Sequence, residues 1–556
     1  MNKLISAIRS RLKLTEKQVF EVANNMVTEA FPRPPTNCIF VKIETKEQIA
    51  FLLELAHECA DSGFQQFSIY PISTGRNWGY GSSSPNITNT IAVVLDLSGL
   101  KDIKYFDAES GIVTVTPGVT QQQLYDFLQG EQAPFMVPVT GAGPTTSILG
   151  NALERGYGIT PVADHFSAVT AIKGFLADGS FYESSLQAMS DTATDNSSDC
   201  YVDKTFKWKH GPYLDGIFTQ SGNIIVTEIT IALARKKPAF DSFYMRFFEP
   251  DSFENAYDIV KEIFNNLEGV VGSINLMDKR RVCAMVAENP QGKGNHAVMT
   301  EKQVDYIAKK YDVPEWTIVG TIYGTEKVAR AAKKDVKAIA KRKADQILFS
   351  SSLLIKLGVF ATRNLPVKAL ANAKIQLEKL HKGMDVMQGK PSEVALPLAY
   401  WRNSRVSPNN RPEHLNPAKD GCGLLWYAPL VPARTADMKN FIDMVRSITP
   451  KYNIEPMITF TNLSGISTDS TIPIVFDLEN PQAVRDAHAC LNELVSKGLK
   501  QGFIPYRLNI KQQQELNANS TFWKTAGEIA HALDPKGIIS PDRYNPYKII
   551  KPTDRK

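Results

Sequence analysis

Pro71-Ile-Ser-Thr-Gly-Arg-Asn-Trp-Gly-Tyr-Gly81 is a glycine-spaced polar turn between two apolar runs, Phe67-Ser-Ile-Tyr-Pro71 and Ile91-Ala-Val-Val-Leu-Asp96. Both runs read as strands. Gly75, Gly79 and Gly81 permit positive φ, so successive N–H groups can converge on one anion. Ser73, Thr74 and Asn77 add side-chain donors, and Arg76 adds a positive charge. The combination suits a pyrophosphate. It is neither a Walker A loop, since no Gly-Lys-Ser/Thr follows, nor Gly-x-Gly-x-x-Gly opening a helix. On its own, a polar glycine turn is more often only a turn.

Outward from this turn, short strands alternate with helices. Residues 1–30 carry Leu4, Ile8, Leu12, Val19 and Val22 at a helical period, broken by Phe31-Pro-Arg-Pro-Pro35. A strand is expected over 38–43 and a helix over 45–62, capped by Thr45 and closed by Gly63. Residues 102–119 read as two strands around a turn at 107–111, and 120–128 as a helix. Further strands are expected over 166–182 and 224–233, with a polar surface excursion at 184–208. After Arg235-Lys-Lys-Pro238 the character shifts. Helices are expected near 250–268, 303–311, 327–346 and 436–448, and strands at 457–460 and 472–476. The mixture predicts two α+β domains. Residues 327–383 are lysine-rich around apolar pieces such as Leu353-Leu-Ile-Lys-Leu-Gly-Val-Phe360. A solvated basic face or a lid is favoured there over a membrane-surface helix.

The 556 residues allow two or three domains with ample cores. Hydrophobic content of 43%, charged content of 22% and a net charge of +5 are those of a globular protein, and so mild a charge does not argue for nucleic acid. The six cysteines are scattered without metal spacing, so no zinc or iron–sulfur site is expected and free thiols are. The N-terminus lacks a signal-peptide core and no run reaches transmembrane length; a cytoplasmic location is the expectation.

More glycine motifs follow in order: Gly141-Ala-Gly-Pro144, Leu149-Gly-Asn-Ala-Leu-Glu-Arg-Gly-Tyr-Gly-Ile-Thr-Pro161 and Gly211-Pro-Tyr-Leu-Asp-Gly-Ile-Phe-Thr-Gln-Ser-Gly222. Downstream stand Ile504-Pro-Tyr-Arg507 and Asp534-Pro-Lys-Gly-Ile-Ile-Ser-Pro541. The series resembles the vanillyl-alcohol oxidase / p-cresol methylhydroxylase family of flavoproteins over most of the chain, least between about Pro250 and Pro391. The resemblance implies a two-domain PCMH-type fold: an FAD domain over 1–238, a substrate or cap domain over 239–500, and a segment 501–556 returning to the first. It places the FAD diphosphate on Ser73, Thr74, Gly75, Arg76, Asn77 and Gly79. Gly143, Gly150, Asn151, Gly156, Ile225 and Val226 are then expected along the rest of the cofactor, with Glu154, Arg155, Asp164 and His165 as loop support.

In that family two tyrosines and an arginine bind a phenol as its phenolate. The matching residues are Tyr80, Tyr506 and Arg507, or Arg543 in the methylhydroxylase pattern. A phenol ionises near pH 10, so a site acting near neutrality must favour the anion by about 4 kcal/mol. The implied reaction passes hydride from the benzylic carbon of a para-substituted phenol to flavin N5, leaving a quinone methide that water attacks. Electrons then go to oxygen or to a separate cytochrome c, since no C-x-x-C-H haem site is present. A homo-oligomer is expected.

Two departures from the family pattern stand out. Where members attach FAD covalently through histidine or tyrosine, this chain has Leu424, with Tyr427 three residues on; a non-covalent FAD is implied. No carboxylate lies in Met136-Val-Pro-Val-Thr-Gly-Ala-Gly143, whereas Asp420 falls where the methylhydroxylase branch has an acid, as a base or an orienting group. Two other functions stay open: a flavin dehydrogenase of a non-phenolic alcohol or 2-hydroxy acid, and a non-catalytic FAD-binding partner.

Overall fold

The computed structural model describes residues 1–22, 37–63, 65–76, 78–85, 90–186, 188–189, 201–351, 383–409 and 413–547. The lysine-rich stretch containing 353–360 lies outside them.

Phe67–Ile72 and Ile91–Asp96 are indeed strands, paired in parallel, and Cys38–Lys42 runs parallel to Ile91–Asp96 on its other side. Val19–Glu21 adds an antiparallel edge. The helix expected over the first 30 residues therefore stops early. It spans Asn2–Leu12 and ends at Lys13 in the left-handed region (φ 53°). Val19 keeps its burial by pairing with Val41 rather than by lying on a helix. The helix Glu47–Ser62 closes at Gly63 as expected, but Thr45 does not cap it; Lys46 holds that position.

A second, antiparallel sheet is ordered Ile103–Asp107, Ile112–Val115, Ile225–Ala232, Val169–Phe175 and Phe181–Glu183. The helix Gln121–Gly130 packs against it through Leu124 and Leu128, its start held by a Thr120–Gln123 capping box.

From Ala239–Phe247 onward the chain builds a larger antiparallel sheet, of nine strands among the described residues. The expected strands at 457–460 and 472–476 are Thr459–Asn462 and Ser467–Asp477 within it. The basic helix is Glu326–Ala340, after which the chain becomes a strand, Gln346–Ser351. Helices Phe253–Leu267, Thr435–Ile448 and Pro481–Lys500 bury their apolar stripes in one core with this sheet. Ile538 and Ile539 pack in the core of the first sheet, where Ser540 N–H donates to the Ile69 carbonyl at 2.9 Å. The result is a two-domain α+β fold. Among the described residues no helix is long and apolar enough to cross a membrane, and the five described cysteines are buried and in no disulfide.

Candidate active site

The polar turn leaves the carboxyl end of the parallel strand Phe67–Ile72, the end at which open sheets of this kind receive ligands. Ser73, Thr74, Gly75 and Arg76 line a cavity of about 350 Å³. Gly150, Asn151, Gly156 and Val226 line it as well. Asn77 lies outside the described residues. At two places a glycine lets a neighbouring polar side chain come close. A Cβ on Gly150 would stand 2.4 Å from Ser73 Oγ, and one on Gly156 2.0 Å from Asn151 Oδ1. Asn151 is in turn hydrogen-bonded to His165 Nδ1. Burial pulls the His165 pKa down to about 4, so the ring is neutral and acts as scaffold.

Three buried atoms on the cavity wall have no hydrogen-bond partner among the described residues: Trp78 Nε1, Thr146 Oγ1 and Arg507 Nε. Buried polar atoms are rarely left unmatched, and all three can donate to an acceptor-rich group. A flavin dinucleotide, with pyrophosphate oxygens and ring carbonyls, is such a group. The residues present fit FAD.

At the same wall the turn and the C-terminal segment meet. Tyr80 comes from the turn; Tyr506 and Arg507 follow the short strand Ile504–Pro505, which pairs with Pro429–Pro432. The Tyr80 and Tyr506 hydroxyls are hydrogen-bonded to each other. The Arg507 guanidinium lies 4.3 Å from the Tyr80 ring centroid, 3.2 Å from Ser82 Oγ and 2.8 Å from Glu154 Oε2. Burial pushes the Tyr80 pKa up, against Arg507 and the Tyr506 hydrogen bond. Burial, then Tyr80 and Asp469, hold Tyr506 well above its ordinary value. Both remain O–H donors. Burial draws Arg507 down, but Glu154 and the two tyrosines outweigh it and it stays charged.

Tyr506 and Tyr157, with ring centroids 5.5 Å apart, separate this cavity from an outer chamber of about 410 Å³ and line both. Arg155, Asp164, Phe166 and Asp469 complete much of the outer chamber. Arg155 also donates from Nε to Thr219 Oγ1 at 3.0 Å.

The structure sets the other expected residues apart from the wall. Gly79 (φ 80°) faces Trp426, 2.6 Å from where its Cβ would be, and Gly143 (φ 92°) packs on Leu396. Ile225 is in the first-sheet core next to wall residue Val226. Arg543 braces the turn from behind, donating to the carbonyls of Ser82 and Ser84. Asp420 is buried in the second domain, accepting from the Tyr400 hydroxyl at 2.5 Å. Leu424 packs beneath Gly79, whereas Tyr427 points from the opposite face of the strand Cys422–Tyr427, its hydroxyl against Gly498.

Sequence reasoning missed Trp78, Trp426, Tyr157, Thr471 and Asp469. Trp78 stood inside the quoted turn. For Asp469 the only signal was a carboxylate within a run of β-branched residues, Ser467–Asp477. Among the described residues no cluster of His, Cys, Asp or Glu is placed to hold a metal ion.

Comparison with known proteins accords with this geometry. Residues 39–185 match the FAD binding domain family. The chain is 29% identical to 1'-carboxy-chondrochloren decarboxylase of Chondromyces crocatus over 482 residues, 86% of each protein. It is 25% identical to the 4-cresol dehydrogenase (hydroxylating) flavoprotein subunit of Pseudomonas putida over 542 residues, 94% of this chain and 92% of that one. The solved structure of p-cresol methylhydroxylase with substrate bound superposes with a TM-score of 0.80 at 24% identity, covering 98% of this chain and 96% of the other. Family model, relatives and solved structure together support a PCMH-type flavoprotein that is an FAD-dependent oxidoreductase.

Proposed function

We propose that the enzyme oxidises para-substituted phenols, 4-alkylphenols or 4-hydroxybenzyl alcohols, at the benzylic carbon. The observation that carries this is the Tyr80–Tyr506 hydroxyl pair with Arg507 over the Tyr80 ring at the cavity wall. Two O–H donors and a guanidinium stabilise a phenolate, which raises electron density at the para position and weakens the benzylic C–H bond toward hydride loss. Bound FAD supplies the two-electron acceptor. The oxidised substrate is a quinone methide that adds water, with oxygen or a separate cytochrome c as the final electron acceptor.

The test is anaerobic absorbance at the flavin band before and after adding 4-alkylphenols and 4-hydroxybenzyl alcohols. Bleaching by a phenol and not by its O-methyl ether is expected. A yellow protein that no phenol bleaches sinks the reading.

A second reading has its own support. Arg155 on the outer chamber wall is a cation suited to a carboxylate, and one relative carries the name of a decarboxylase. A phenolic substrate bearing a carboxyl group would then lose CO₂ as it gives up two electrons. Release of CO₂ equal to flavin reduced in the same cuvette distinguishes it.

A further inference from the structure

The strand Ser467–Asp477 runs past both cavities. Thr471 lines the cofactor cavity, and Asp469, two residues earlier on the same face, lines the outer chamber with Tyr506. Asp469 is 3% exposed, and neither of its carboxyl oxygens has a hydrogen-bond partner among the described residues. Among the described residues the other buried carboxyl groups are matched. Asp278 accepts from Arg281 N–H at 2.9 Å and Ile458 N–H at 3.0 Å; Asp534 accepts from Ile538 and Ile539 N–H at 2.9 Å each. A lone unmatched carboxyl on a cavity wall is a group awaiting a ligand.

Its surroundings fix the form in which it waits. The ionisable groups around it are Tyr80 and Tyr506, and on the shared walls Tyr157, Arg155 and Asp164. Arg507 is already held by Glu154, and Arg155 makes no hydrogen bond to Asp469. With no cation paired to it, burial drives its pKa well above the carboxylate range.

We propose that Asp469 works as a neutral acid whose O–H donates a hydrogen bond to an oxygen of the bound phenol, beside the hydroxyls of Tyr80 and Tyr506. The role rests on the phenol reading above. A neutral donor strengthens an oxyanion site without setting a like charge against it, which an ionised carboxylate here would do. Phenol affinity therefore falls as pH rises and the Asp469 proton is lost.

The experiment compares the wild-type holoenzyme with Asp469→Asn, which keeps a donor but cannot ionise, and Asp469→Leu, which keeps neither. A 4-alkylphenol is titrated anaerobically across pH and binding is read from perturbation of the flavin band. FAD content and melting temperature are measured for each protein. Asp469→Leu is expected to weaken binding about tenfold near neutral pH while raising the melting temperature, because an unmatched polar group has been removed. Asp469→Asn is expected to bind within about threefold of wild type and to lose the fall-off with rising pH. Identical binding by all three proteins across pH overturns the proposal and leaves the phenol reading standing. So do variants that bind equally poorly and melt lower, the mark of a purely structural residue. A wild-type flavin that no phenol perturbs overturns the phenol reading, and this role with it.

Discussion

Glu154 Oε2 lies 2.8 Å from Arg507 Nη2, so the cation set over the Tyr80 ring is already partly neutralised before any substrate binds. Replacing Glu154 by Gln keeps the shape and removes the negative charge. The bound phenol should then ionise about one pH unit lower, equivalent to about 1.4 kcal/mol of added phenolate stabilisation. Phenolate absorbance of a bound 4-alkylphenol, followed across pH, measures it; an unchanged midpoint shows that Arg507 does not act on the phenol oxygen.

Tyr506→Phe removes one member of the hydroxyl pair while keeping the ring that packs 5.5 Å from Tyr157. Anaerobic flavin reduction by a phenol should slow about a hundredfold, the loss typical of one donor at an oxyanion site. Reduction by a non-phenolic alcohol, if that were the substrate, would change little. Stopped-flow rates with both substrate types separate the two functions.

FAD should leave the protein on denaturation. Leu424 cannot form a bond to the flavin, and Tyr427 faces the helix Pro481–Lys500 from the far side of its strand. After acid precipitation the yellow colour is expected in the supernatant. Flavin fluorescence that stays with the polypeptide on a denaturing gel refutes non-covalent binding.

Acid should loosen the cofactor domain through His165. Its folded pKa is about 4 against an ordinary 6.5. The unfolded chain therefore takes up a proton that the folded one refuses, and stability falls as pH drops from about 6.5 to about 4, then levels. The loss is of the order of 3 kcal/mol. Melting temperature against pH should show this slope in wild type and a shallower one in His165→Gln; parallel curves exclude His165 as the cause.

Local chemistry made a good part of this protein legible. Backbone freedom at glycine marked the Ser73–Gly81 turn, and apolar runs marked its flanking strands. The Tyr506–Arg507 pair was legible as a match to a family pattern. Periodicity misled at the N-terminus, because Val19 satisfies a helical spacing and a strand pairing equally well and only its partner Val41 decides. Side-chain direction was equally hidden. Tyr427, three residues past Leu424, lies on the other face of their strand, and no spacing alone says which face meets the turn.

The sequence by itself determined that a glycine-spaced polar turn lies between two strands, and which residue types could hold a cofactor and a phenol. Those properties belong to a few consecutive residues. Tertiary structure alone decided that Tyr80 meets Tyr506, that Glu154 holds Arg507, and that Asp469 stands unmatched on the outer chamber wall. These are relations between segments far apart in the chain, set by how two separate cores pack, and no local pattern carries them.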